Sequence, residues 1–221
     1  MPTAIILNPT AGRGQGAKMR PAIAATFRNA TLYETTRRDE ATQLAKQAVE
    51  AGHDLVIAAG GDGTLGEVLN GIFGTGTKLG ILPVGTGNDF ARTLGIGASF
   101  ETALKTLQSG AFKAVDVGHV EIGDEKRYFL NVAGAGFDSR CATRINEHRP
   151  KILGKLTGTN AYIVAVLSEL RCYETTQLRL ELDGRVVESR AILCAIANAQ
   201  SYGGGMKVAP DADLTDGLFD I

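Results

Sequence analysis

Cysteine is scarce: Cys141, Cys172 and Cys194 stand far apart and odd in number among 221 residues. No Cys-x-x-Cys or metal-ligand spacing occurs, which argues against a disulfide scaffold and for small core residues in a reducing cytosol. No apolar run approaches the roughly 20 residues of a membrane-spanning helix. The opening segment, Met1-Pro-Thr-Ala-Ile-Ile-Leu-Asn-Pro9, lacks the basic region and cleavage site of a signal peptide. A basic surplus is also missing: 23 Lys and Arg against 24 Asp and Glu give a net charge of −1, which argues against a nucleic-acid binder relying on a positive field. Gly-x-x-x-x-Gly-Lys-Ser/Thr is absent, so a P-loop is excluded. His53, His119 and His148 form no ligand pattern. Glycine is plentiful, at 28 residues, so many backbone positions should be strained or lie close to a ligand.

Buried strands and amphipathic helices alternate in the first half. Ala4–Leu7, Thr31–Thr35, Leu55–Ala59 and Leu79–Pro83 read as strands. Pro21–Phe27, Asp39–Ala51, Leu65–Phe73 and Phe100–Gln108 read as helices. The second helix carries Ala41, Leu44, Ala45, Ala48 and Val49 on one face, and the third Leu65, Val68, Leu69, Ile72 and Phe73. Alternation of this kind implies an α/β fold, a parallel sheet with helices on both faces. Past Ala111 the pattern changes. Val115–Glu121 and Arg127–Val132 alternate like paired antiparallel strands, and Leu178–Leu182 and Val186–Ala197 like another pair turning at Asp183-Gly184. Asp138–Leu170 between them reads as helical or irregular. The expected organisation is a three-layer nucleotide-type domain over residues 1–111, then a β-rich, sandwich-like domain over 112–221.

Residues 59–73 carry the strongest functional signal. The strand Leu55-Val-Ile-Ala-Ala59 stops at Gly60-Gly-Asp-Gly-Thr64, and a helical pattern begins at once. Glycines at such a turn let backbone N–H groups approach a phosphate, and the helix start adds partial positive charge. Asp62 is out of place beside a phosphate unless Mg²⁺ lies between them; otherwise it caps the helix. Pro83-Val-Gly-Thr-Gly-Asn-Asp-Phe-Ala-Arg92 follows another buried strand. Thr86 and Asn88 offer hydrogen bonds, and Asp89 could orient a substrate hydroxyl or a metal-bound water; Asn88 or Asp89 could also cap a helix.

Asn8-Pro-Thr-Ala-Gly12 is a plausible second phosphate clamp. Gly12-x-Gly14-x-x-Ala17 with Glu34 fits the dinucleotide fingerprint only weakly, because Asn-Pro-Thr-Ala intervenes after the strand. Pro210–Asp220 brings four carboxylates into about ten residues and suits either a hard cation or an acidic surface turn. Arg144, Arg149, Lys151 and Lys155 form a modest basic stretch, a solvated face or a contact for an anionic membrane surface.

The chain resembles the diacylglycerol kinase catalytic family, in particular its bacterial soluble lipid kinases. The resemblance rests on Asn8-Pro-x-Ala-Gly12, Thr35, Gly60-Gly-Asp-Gly-Thr64 with Glu67-Val-x-Asn-Gly71, and Gly85-Thr-Gly-Asn-Asp-Phe-Ala91. Further along come Asn131, Gly134-x-Gly136-x-Asp138, Asn198, Gly203-Gly-Gly205 and Asp216-Gly-Leu-Phe-Asp220. It implies Mg²⁺-dependent transfer of the ATP γ-phosphoryl group to a lipid hydroxyl. ATP contacts would come from Asn8, Thr35, Gly60, Gly61, Asp62, Gly63, Thr64, Leu65, Gly66, Thr86 and Asn88. Asp62 would help hold Mg²⁺ on the phosphates, and Asp89 would orient the substrate. Asp213, Asp216 and the Leu218 carbonyl would match a structural Mg²⁺ site. The implied location is cytoplasmic, peripheral at the inner membrane surface. Because family members continue past Asp-Gly-Leu-Phe-Asp to a proposed glutamate base, a truncated sequence is expected. The alternatives are an NAD kinase, sharing Gly-Gly-Asp-Gly-Thr, and a catalytically inactive nucleotide- or lipid-binding module.

Overall fold

The structure, a computed structural model, describes residues 1–96, 99–136 and 175–221. Asp138, Cys141, Arg144, His148, Arg149, Lys151, Lys155, Cys172 and the stretch from Asp138 to Leu170 lie outside the described residues. The four N-terminal apolar runs form parallel strands β1 (Thr3–Leu7), β2 (Thr31–Glu34), β3 (Leu55–Gly60) and β4 (Lys78–Pro83), in the order β2-β1-β3-β4. Between them run α1 (Ala11–Thr26), α2 (Glu40–Glu50) and α3 (Asp62–Ile72). After β4 come α4 (Asp89–Thr93) and α5 (Phe100–Ser109).

Side chains of successive strand residues point to opposite faces, so two cores form. On one face Ala4, Ile6, Val56 and Ala58 pack with Ala41, Ala45 and Ala48 of α2 and Leu65, Val68, Leu69 and Ile72 of α3. On the other, Ile5, Leu7, Ile57 and Ala59 pack with Ile23 of α1 and with Phe100 and Ala103 of α5. This is the three-layer α/β arrangement expected. Small residues bring α2 and α3 close together: a Cβ on Gly71 would lie 2.5 Å from the Ala45 Cβ.

Local details depart from expectation. Helix α1 starts at Ala11, well before the expected start at Pro21, and kinks where Gly12, Arg13 and Gly14 are left-handed. Phe73 leaves the apolar face of α3; it is 44% exposed and stacks on Tyr128 with ring centroids 3.7 Å apart.

By contacts the chain divides into two units, Met1–Asn131 with Asn198–Leu218, and Val132–Ala197 with Phe219–Ile221. The expected boundary at residue 111 falls inside the first unit. That unit retains the antiparallel hairpin β5 (Gly118–Ile122) and β6 (Glu125–Phe129) because α3 binds it. Asn70 donates to the carbonyl of Tyr128 at 2.9 Å and accepts its N–H at 2.9 Å, as a neighbouring strand would. The unit also holds the short hairpin β11 (Ser201–Tyr202) and β12 (Met206–Lys207).

In the second unit, β7 (Val132–Gly136) pairs antiparallel with β10 (Leu193–Ala197), and β8 (Thr176–Leu182) with β9 (Arg185–Ala191). Asp183 and Gly184 form the predicted tight turn, both with positive φ. The expected strand Val186–Ala197 is divided at Ile192, where the chain exchanges β8 for β7 as its partner. A parallel-sheet domain followed by antiparallel strands is thus the architecture anticipated. Among the described residues no helix is long and apolar enough to cross a membrane.

Candidate active site

The strand order reverses between β1 and β3, and ligands on such sheets bind at the carboxyl ends beside the reversal. Three glycine-bearing loops meet there. The Asn8 N–H donates to the carbonyl of Ala59 at 2.9 Å, and its side-chain amide donates to the Thr64 hydroxyl at 3.1 Å, joining the β1 loop to the first turn of α3. Gly61 and Gly85 join the β3 and β4 loops: a Cβ on Gly85 would fall 2.4 Å from the Gly61 Cα. Only glycine permits that approach.

The Asn88 side chain shapes the third loop. Its Oδ1 accepts the Gly85 N–H at 3.0 Å, and its Nδ2 donates to the Gly85 carbonyl at 2.9 Å. Asn88 is left-handed and buried, so its amide is committed to the loop. Thr86, by contrast, is exposed at the tip. Gly60, Gly61, Gly63 and Gly66 line the turn of α3, whose first amides lack intrahelical acceptors. The Leu65 side chain is in the core, and its N–H bonds the Gly61 carbonyl at 3.0 Å. Thr35 follows β2, buried, with its N–H on the Leu7 carbonyl at 2.9 Å.

Two carboxylates flank the third loop. Asp62 accepts the backbone N–H groups of Asp89 at 3.1 Å and Phe90 at 3.2 Å, and the Asn131 amide at 3.4 Å. It therefore caps a helix, but α4 rather than its own. Asp89, 3% exposed, accepts the Gly204 N–H at 2.7 Å and lies 3.4 Å from the Arg92 guanidinium. A Cβ on Gly87 would be 3.1 Å from the Asp62 Oδ2 and 3.3 Å from the Asp89 Oδ2, so both acids converge on that glycine.

Asp213 and Asp216 lie on an exposed turn near the end of the chain. Asp213 Oδ1 accepts the N–H and hydroxyl of Thr215, which hold its carboxyl below the usual range, the hydroxyl having the larger effect. Asp216 Oδ1 accepts the Leu218 N–H at 2.9 Å. Asp116 reaches the same turn by accepting the Gly217 N–H at 2.8 Å. Among the described residues no group of three or more His, Cys, Asp or Glu side chains is gathered as a metal site.

Sequence reading assigned no work to Glu67 and Asn70 of the Glu-Val-x-Asn-Gly run. Spacing gave a clue: residues four apart on α3, such as Glu67 and Gly71, share a side. Glu67 and Gly71 meet α2, while Asn70 meets β6.

Residues 2–120 match the family model described as the diacylglycerol kinase catalytic domain, and residues 131–221 the YegS C-terminal NAD kinase beta sandwich-like domain. A diacylglycerol kinase of Bacillus subtilis (strain 168) is 36% identical over 224 residues, spanning 98% of this chain and 71% of that protein. One from Staphylococcus aureus (strain bovine RF122 / ET3-1) is 35% identical over 98% of this chain and 68% of its own. The crystal structure of a putative diacylglycerol kinase from Bacillus anthracis str. Sterne has a TM-score of 0.75 at 32% identity, covering 98% of this chain and 70% of that one. Fold and matches define a kinase of the class that phosphorylates an alcohol acceptor. The chain belongs to the diacylglycerol kinase catalytic family. The NAD kinase alternative is not favoured, since these relatives are named as diacylglycerol kinases.

Proposed function

We propose that this protein transfers the terminal phosphoryl group of ATP to a lipid hydroxyl, with diacylglycerol the first acceptor to test, while bound peripherally to the inner membrane surface. The observation that carries this reading is the meeting of three loops at the carboxyl ends of β1, β3 and β4, with Asp62 and Asp89 converging on Gly87. Asn8, Thr35, Thr86 and the backbone of Gly60–Gly66 would cradle the nucleotide. Preorganised N–H donors there stabilise charge on the transferring group without reorganising. Asp89, fixed by Gly204 and Arg92, would orient the acceptor hydroxyl. We assign no general base among the described residues.

The donor set fits Mg²⁺. A carboxylate has about four lone-pair sites, and Asp62 receives three hydrogen bonds, which leaves room for a cation or its water. Asp213, Asp216 and the Leu218 carbonyl are hard oxygen donors on one turn and would hold a second, structural ion through the atoms their turn bonds leave free. A bound Mg²⁺ would supply charge neutralisation on the phosphates.

The test is ³²P transfer from Mg²⁺·ATP to a panel of lipids in mixed micelles, with NAD as control acceptor and ATP binding measured alongside. Labelled diacylglycerol supports the proposal. Labelled NAD overturns it, and ATP binding without transfer to any acceptor indicates a binding module.

A further inference from the structure

We propose that Glu67 is a positioning residue for the nucleotide site, capping α2 in trans so that the Thr35 loop and the phosphate turn of α3 are held as one unit. The inference rests on the proposed function, in which both segments contact the same nucleotide.

Helix α2 begins without a cap of its own. Asp39 precedes it in a left-handed conformation, with φ 58°, and its side chain bonds none of the helix's first amides. Those amides need acceptors. Glu67 supplies one from the neighbouring helix: its Oε2 accepts the Ala41 N–H at 3.0 Å. Its backbone carbonyl takes the Thr42 hydroxyl at 2.9 Å, a second tie at the same place. The carboxyl is half-buried, and burial pushes its pKa up against the lowering effect of the Ala41 and Asp39 amides. A carboxylate withdrawn from water at such a cost needs these bonds to remain there.

The contact continues to the nucleotide loop. Glu40, the first residue of α2, accepts the Thr36 N–H at 2.6 Å, the Thr36 hydroxyl at 3.0 Å and the Arg37 N–H at 3.2 Å. Thr35 is the next residue back. At the other end, Glu67 follows Gly66 directly, one residue beyond the glycine turn. Loops from two different strands are thereby fixed to each other through α2.

The experiment compares the wild-type chain with Glu67→Ala, Glu67→Gln and Glu67→Asp in ATP binding by calorimetry and in amide exchange. Losing a half-buried acceptor should weaken ATP binding about tenfold in E67A. Exchange should quicken at Ala41 and Thr36. E67Q keeps an oxygen that can accept the same bond and should bind within about twofold of wild type. E67D, one methylene too short to reach, is the second reporter should E67A not fold, and should weaken ATP binding with the fold intact. In turnover the KM for ATP should rise while kcat and the KM for lipid hold. Equal ATP binding by all four proteins, or E67Q as weak as E67A, overturns this inference alone. A wild-type chain that binds no ATP overturns the proposed function and the role of Glu67 with it.

Discussion

Asp62 has two functions that a single substitution would affect. Its carboxylate holds the first amides of α4 and, in the proposed reaction, would help hold Mg²⁺ on the phosphates. Asp62→Ala should abolish phosphoryl transfer and also cost about 1 kcal/mol of stability as a lost cap. Asp62→Asn retains acceptor oxygen, so urea denaturation should find it more stable than the alanine variant but equally inactive. The glycines separate packing from chemistry. Gly85→Ala forces a Cβ onto the Gly61 backbone and should destabilise by about 1–3 kcal/mol. A Cβ on Gly63 meets nothing within 4 Å. Gly63→Ala should therefore leave stability unchanged or raise it by up to about 1 kcal/mol, since alanine favours a helix. It should nevertheless raise the KM for ATP, and an unaltered KM would count against phosphate approach at that turn. The glycine runs were legible as close approaches because glycine alone tolerates them. Their partners were not, since no local pattern specifies that Gly61 meets Gly85.

At the scale of elements, α3 is anchored on both flanks, by Glu67 to α2 and by Asn70 to β6. Asn70→Ala removes three hydrogen bonds, to Gly66 and to both backbone groups of Tyr128, and leaves part of a strand unpaired. We expect a loss of about 1–3 kcal/mol by denaturant titration. The start of α2 should respond to acid. Bonds from the Thr36 N–H, then its hydroxyl, hold the Glu40 carboxyl below 4.5. A lowered native pKa contributes stability that is present above 4.5 and lost as pH falls through the folded value. Glu40→Gln should flatten that part of the acid limb, and an identical pH profile in the variant would refute the contribution. Helices α2 and α3 could be read from periodicity because each lays one apolar stripe on the sheet. Phe73 misled: it lies on the stripe but at the last turn, beyond the sheet, where an aromatic ring on β6 offers a better surface.

For the whole molecule, the first unit is discontinuous. Ala199 and Leu214 are buried in the same core as Val68 and Leu69. Leu214→Ala should therefore cost about 2–5 kcal/mol, measured on the first unit, although residue 214 is far along the chain. Sequence periodicity placed a boundary near residue 111 because alternation changes there. It could not show that residues after 197 return, since the buried Ala199, Ala212 and Leu214, scattered in an acidic, glycine-rich stretch, form no period. That return bears on synthesis. At 5–20 residues per second, the segment from Asn131 to Leu218 takes about 4–17 s to translate. Throughout that interval the core containing Val68 and Leu69 lacks Ala199 and Leu214, so the packing of the first unit is completed only late in synthesis.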